Sequence, residues 1–160
     1  MASYNNRGMN KRQVLGVLAA VLVGPAWSAA WVAGRFDPKR DAVADVQGAV
    51  ETARAEGKLV LVDVGGEWCT WCHILDRFIG SRPAVQALLQ DRYVTVKVNF
   101  SPDNKNEALL SRWPRASGYP HLYVLDGTGA VVASQATSEL ESGTSYDERK
   151  FLAFLGRHRR

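Results

Sequence analysis

The stretch LVDVGGEWCTWCHILDRF, residues 61–78, contains both cysteines of the chain, Cys69 and Cys72, with Asp63 upstream and His73 immediately behind. It begins inside KLVLVDV (58–64), a Val-rich apolar run of strand length whose unbroken hydrophobicity suits burial on both faces. Gly65-Gly66 breaks the run. Ile74, Leu75 and Phe78 then recur at the spacing of a helix packed on a sheet. The cysteines therefore fall where a strand hands over to a helix.

That position has chemical consequences. A cysteine attacks a disulfide only as thiolate, so its pKa must fall below the free value of about 8.5. Cys69 would lie at a helix N-terminus, where unpaired N–H groups and the positive end of the dipole favour the anion. Cys72, three residues on, shares the helical face within bonding reach of Cys69. It is expected to be the deeper thiol and to resolve a mixed disulfide. A merely structural bridge fits less well, because so short a loop restrains little chain entropy. Asp63 ends an apolar strand, where desolvation should raise its pKa. Such a carboxyl could move protons for the buried thiol; the alternative is an Asp that caps the turn.

Two other chemistries share these residues. Cys-x-x-Cys-His is also the attachment motif of a c-type haem, with His73 as an axial ligand. A second axial ligand would have to come from Met1, Met9, His121 or His158. Two thiolates with His121 would make a soft set suited to a copper or zinc carrier, with no fourth ligand apparent. The dithiol itself needs neither metal nor organic cofactor, since its electrons reside in the sulfurs.

Outward from this centre, Val43, Val46, Ala49, Val50 and Ala53 mark a helix closed by Gly57, and Pro83 can open another that runs through Leu89. RYVTVKVNF (92–100) alternates as a second strand, and NKNEALLSRW (104–113) reads as a short helix ending before Pro114. HLYVLD (121–126) and AVVASQ (130–135) flank Gly127-Thr128-Gly129, a hairpin turn. Residues 136–146 look like a polar loop, and DERKFLAFLGRH (147–158) like a last amphipathic helix with Phe151, Leu152 and Leu155 inward. The first two strands, joined through a helix, should be parallel, and the hairpin strands antiparallel. The expected fold class is α/β: a central mixed sheet with helices on both faces.

The chain has 160 residues, 46% hydrophobic and 22% charged, enough for one ordinary core. Its net charge of +4 is concentrated at the start: residues 1–30 carry Arg7, Lys11 and Arg12 and no acid, and the remainder has 17 basic and 16 acidic side chains. A cationic end, RHRR (157–160), is no basic stripe, and nucleic acid is not indicated as a partner. Residues 1–30 have the layout of a secretory signal: Lys11 and Arg12, an apolar run over 14–23, Gly24-Pro25, then Ser28, Ala29 and Ala30. The apolar part is about half of the roughly 20 residues a spanning helix needs, which favours cleavage over an uncleaved anchor. Either outcome puts the remainder outside the cytoplasm, in the periplasm or an equivalent compartment, and a membrane enters only if the segment is retained. Residues 31–40 are read as a linker and 41–160 as the folded domain.

Over roughly 43–155 the sequence resembles the thioredoxin superfamily, in particular its secreted bacterial thioredoxin-like members. LVDVGGEWCTWC is similar to the family's strand followed by W-C-x-x-C, and GYPHLYVLDGTGAVV to the segment in which a cis-proline precedes a hairpin. Asp63, six residues before Cys69, stands where the family carries a buried acid. The resemblance implies a thioredoxin-like fold and a thiol-disulfide oxidoreductase. Its implied catalytic residues are Cys69, Cys72 and Asp63, with Cys69 and Cys72 forming a redox-active disulfide. Trp68, Trp71, Tyr119 and Pro120 would form the substrate-binding set, with a cis bond at Tyr119-Pro120. The implied partners are proteins with thiols or disulfides, and a separate redox partner. Thr70-Trp71 departs from the Gly-Pro, Pro-His or Gly-His of better-known members, a pair that tunes the potential across about −270 to −120 mV.

Overall fold

The computed structural model describes residues 34–158. The expected signal or anchor lies outside the described residues. Helix α1 (Ala42–Glu56) begins at Asp41, whose carboxylate accepts from the backbone N–H of Val43 and Ala44. It ends at Gly57, whose φ of 71° is a left-handed value that a side chain would penalise. Strand β1 (Leu59–Gly65) follows, buried along its whole length. Then come α2 (Thr70–Gly80), α3 (Pro83–Arg92) and β2 (Tyr93–Asn99). The short α4 (Glu107–Leu110) precedes the hairpin of β3 (His121–Leu125) and β4 (Val131–Ala136), and α5 (Glu148–Arg157) closes the order.

The four-stranded sheet has the order β2-β1-β3-β4. β1 runs parallel to β2 and antiparallel to β3, which pairs antiparallel with β4. This is the expected mixed sheet with helices on both faces. Alternation along β1 divides the core: Leu59 and Leu61 join α2, α3 and α5, while Val60, Val62 and Val64 join α1 and α4. Asp63, in phase with Leu59 and Leu61, therefore points toward the layer of α2.

Three local readings change. Residues 136–146 are more than a polar loop. They form a 3-10 turn over Thr137–Leu140 and a small hairpin of β5 (Glu141–Ser142) and β6 (Ser145–Tyr146). Thr137, Leu140 and Tyr146 are buried there, three anchors hidden by polar neighbours. On α5 the buried side chains are Phe151, Phe154 and Leu155, and Leu152 is only partly covered. The helix rests on the 151/154/155 stripe. Finally, the described part of the stretch read as a linker is packed: Phe36 is 1% exposed and lies against the cysteines.

The α5 layer is fastened to the sheet by one buried polar contact. The Tyr93 hydroxyl donates to the Leu155 carbonyl at 2.7 Å, and its burial raises the phenol to about 12. Tyr93→Phe leaves that carbonyl without its donor. It should cost about 1–3 kcal/mol in urea unfolding with little change in far-ultraviolet dichroism.

Candidate functional site

Cys69 is the N-cap of α2, with extended backbone (φ −92°, ψ 102°). Its Sγ accepts from the Cys72 backbone N–H at 3.1 Å, and its carbonyl from Cys72 and His73 N–H at 3.1 and 3.3 Å. The two sulfurs are joined in a disulfide with Cα atoms 5.2 Å apart, a usual span for such a bridge. Both cysteines are buried, Cys69 at 3% exposure and Cys72 at 0%. The reach expected from their spacing is therefore realised, but Cys69 is less open than an attacking sulfur was expected to be.

The glycine pair does more than end the strand. A Cβ on Gly65 would stand 2.4 Å from Cys72 Sγ and 3.1 Å from the Phe36 ring. A Cβ on Gly66 would meet the Trp68 indole at 2.3 Å and the Phe100 carbonyl at 3.0 Å. Neither residue has positive φ, so the requirement is for close approach. Trp68, 55% exposed, is pinned over Gly66 by its Nε1–H donating to Phe100 O at 2.7 Å. Its ring meets Tyr119 edge-on at 5.9 Å, and Tyr119 stacks on Phe100 at 4.6 Å. Trp68, Tyr119 and Phe100 thus form an aromatic ledge beside the sulfurs, continuous with a groove of about 530 Å³ that Trp113, Tyr123 and Arg115 also line.

The bond Tyr119-Pro120 is cis. The Pro120 carbonyl is held by the buried Thr137 hydroxyl at 2.6 Å, a support supplied by the segment read as a loop. Trp71 turns the other way from Trp68. It packs edge-on against Tyr146 at 5.5 Å, and its carbonyl accepts from the Tyr146 hydroxyl at 3.3 Å. It is partly buried among core residues and contributes less open surface than Trp68.

Asp63 is 1% exposed, and neither carboxylate oxygen has a hydrogen-bond partner. Its nearest cation is Lys97, its register partner on β2, with Nζ 3.4 Å from Oδ2. That ammonium is closer to Asp76 of α2, donating to its two oxygens at 2.6 and 2.8 Å. One cation thus faces two carboxylates and bonds one of them. Burial pushes Asp63 up to about 7, Lys97 partly opposing and Asp76 reinforcing the rise. Gly65 lies two residues along the same strand face, so the Cys72 sulfur over it is one side-chain step, about 7 Å, from the Asp63 position.

Lys97 and Asp76 are absent from the site as read from sequence. Lys97 shares a strand phase with Tyr93 and Thr95, and its side chain is only 9% exposed. Asp76 stands four residues after Cys72, a helical spacing that puts both on one face and could have identified it.

The two histidines of the rival chemistries are engaged elsewhere. His73 Nε2 lies 2.9 Å from the Glu67 carbonyl, inside the active loop. His121 is buried, with Nε2 2.8 Å from Ser134 Oγ and its ring against Tyr123; its burial lowers its pKa. Among the described residues no three His, Cys, Asp or Glu side chains are grouped to hold a metal ion.

This geometry, a disulfide at the head of a helix beside a cis-proline and above a buried acid, belongs to a recognisable class. The chain is a member of the thioredoxin-like family, whose sequence profile matches residues 41–127. It is similar to the thiol:disulfide interchange protein DsbD of Pseudomonas fluorescens, 32% identical over 101 residues, covering 62% of this chain and 17% of that protein. DsbD of Escherichia coli K12 is 29% identical over 75 residues, covering 47% of this chain and 13% of that protein. The matched region is thus a small part of these relatives' length. Among solved structures, the disulphide isomerase of Xylella fastidiosa Temecula1 shares the fold with a TM-score of 0.66 and 22% identity, over 76% of this chain and 94% of that one. A thioredoxin from Thermus thermophilus gives 0.51 and 27%, over 69% and 81%.

The state of Asp63 predicts a pH dependence of stability. Its folded pKa of about 7 lies above the ordinary 3.8, so between these values the folded chain holds a proton that the unfolded chain releases. Stability is therefore lost as pH rises from about 4 to 7, by up to about 4 kcal/mol, and the loss is constant above that. Asp63→Asn, which does not titrate, should be more stable than wild type at pH 8 and nearly equal at pH 4. Urea unfolding of both proteins across this range measures the difference; a gap independent of pH would contradict the assignment.

Proposed function

We propose that this protein is a thiol-disulfide oxidoreductase exchanging disulfides with protein substrates through the Cys69–Cys72 pair. The observation that carries this reading is the placement of Cys69 Sγ on the Cys72 N–H at the head of α2, which would favour a thiolate there once the pair is reduced. In the reducing direction, Cys69 thiolate attacks a substrate disulfide, forming a mixed disulfide and releasing one substrate thiolate. Cys72 then gives its proton to Asp63, and its sulfur attacks Cys69 Sγ. The second substrate thiolate leaves, and the Cys69–Cys72 disulfide forms. Two electrons pass from the cysteine pair to the substrate, and a redox partner with a dithiol restores them. The same steps reversed oxidise a substrate dithiol.

Asp63 suits its part because a dry carboxyl that titrates near neutrality can both take and return a proton. Tyr119, the residue before the cis-proline, packs against the cysteine cluster, where a substrate backbone could lie as an added strand, with Trp68 as an exposed apolar contact. Trp71 would act through its packing on the cysteine pair. The leader-like residues 1–30 support work outside the cytoplasm, where substrate disulfides persist. Among the described residues no helix is long and apolar enough to cross a membrane.

Trapping tests the division of labour between the sulfurs. Cys72→Ser should accumulate mixed disulfides between Cys69 and substrate proteins, visible as bands that a reductant abolishes, and Cys69→Ser should accumulate few. Equal trapping through Cys72 alone would reverse the roles. No trapping in either variant, with tight Cu(I) binding by the wild type, would replace the enzyme by a carrier. Asp63→Asn should slow insulin reduction about 10²-fold at pH 7 and flatten the pH–rate limb near that value.

A further inference from the structure

Phe36 is buried between exposed neighbours, Arg35 and Asp37, in the stretch that precedes the first helix. Three contacts fix it. Its backbone N–H donates to Glu67 Oε1 at 2.8 Å, in the loop that carries Trp68 and Cys69. Two residues later, the Pro38 carbonyl accepts from Asn104 Nδ2 at 2.9 Å, beyond the end of β2. Its ring packs with Cys69 and Cys72 over Gly65, and the Lys97 ammonium sits 4.2 Å from the ring centroid. Residues 34–40 thus form a strap across the site. The ring thus touches the cysteines and also the ammonium that stands by Asp63 and Asp76.

An ammonium over an aromatic face is attracted by the ring quadrupole, more strongly when both are out of water, which is enough to bias where a lysine rests. The Phe36 ring, 4.2 Å from the ammonium, favours electrostatically the place Lys97 holds between Asp63 and Asp76. Facing Asp63 are Lys97 from β2 and Asp76 from α2, with Cys72 one step along the strand; Tyr146 of β6 feels its charge, and β3 contributes the apolar Leu122. On the strap side stands the ring, with Glu67 and the exposed Arg35, 3.9 Å apart, behind it.

We propose that Phe36 is a positioning residue of the exchange reaction: its ring holds the Lys97 ammonium in place and keeps water from Asp63, so that Cys72 exchanges its proton with a dry carboxyl. The strap, clasped by Glu67, is then a working part of the site. This inference rests on the oxidoreductase reading for its functional meaning, but its physical content is separable from it. Removing the ring has opposed effects on Asp63: hydration lowers its pKa, and a Lys97 that swings away raises it. Desolvation leads the causes of the present rise, and water admitted where the ring stood would relieve it, so the expected shift is downward.

The test is a carboxyl ¹³C NMR titration of Asp63 in the oxidised protein, run beside pH–rate profiles for insulin reduction. Wild type should titrate near pH 7. Phe36→Ala should move the midpoint down by about one pH unit, and the pH–rate limb with it. Phe36→Leu fills the space without a π face and guards against a misfolded alanine variant; its midpoint should differ from wild type, and Phe36→Tyr should restore it. In reduced Phe36→Ala, iodoacetamide should reach Cys72 several-fold faster than in wild type. Midpoints that coincide in wild type, Phe36→Leu and Phe36→Ala would overturn the proposal. A wild type that reduces no substrate while its Asp63 midpoint still follows residue 36 would sink the oxidoreductase reading and leave the dependence of Asp63 on Phe36 standing.

Discussion

The site depends on one ammonium placed between two carboxylates, Asp63 wholly buried and Asp76 partly exposed. Lys97 bonds Asp76 and stands farther from Asp63, whose carboxyl is almost wholly removed from water. In water that carboxylate would be solvated. Here burial makes Asp63 hold its proton to near neutral pH. A fully apolar replacement would be cheaper for the fold, since buried charges seldom repay their desolvation. The cost is intelligible if the carboxyl has a task, and the sulfur of Cys72 one strand step away supplies it.

Close approach is the second constraint. The sulfur, the Phe36 ring and the strand share a space that any Cβ on Gly65 would occupy, and the Trp68 indole uses the corresponding space over Gly66. The two glycines therefore place the Cys72 sulfur and an exposed aromatic on neighbouring surfaces. From there the ledge of Trp68, Tyr119 and Phe100 extends toward the groove, and Thr137 steadies the proline loop from behind. The two tryptophans around Cys69 consequently differ: Trp68 meets solvent, whereas Trp71 faces Tyr146 and helps seat α2 on the core.

Much of this was legible in the linear chain. Hydrophobic pattern located the helices and the strands of the main sheet, because a helix buries a regular stripe and the central strands bury an unbroken apolar run. The cysteine spacing, the preceding apolar strand with its Asp, and the Tyr-Pro before a hairpin identified the class, because the chemistry needs these groups in a short order along the chain. Reading Asp63 as a desolvated acid required only its place in an apolar run.

Tertiary structure decided what depends on residues distant in sequence. Lys97 has the alternation of a surface residue, and only its register opposite Asp63 and the packing of α2 turn it inward. Phe36 follows a stretch of unremarkable composition, and its burial arises because the chain crosses back over Gly65, which has no side chain to exclude it. Thr137, Leu140 and Tyr146 are scattered among polar residues without a period, so no local pattern marks them as buried. The sequence by itself determined the fold class and the place of the cysteine pair, since both rest on local order. The protonation environment of that pair was decided only in three dimensions, because desolvation and ion pairing depend on every group that packs against the acid, wherever it lies in the chain.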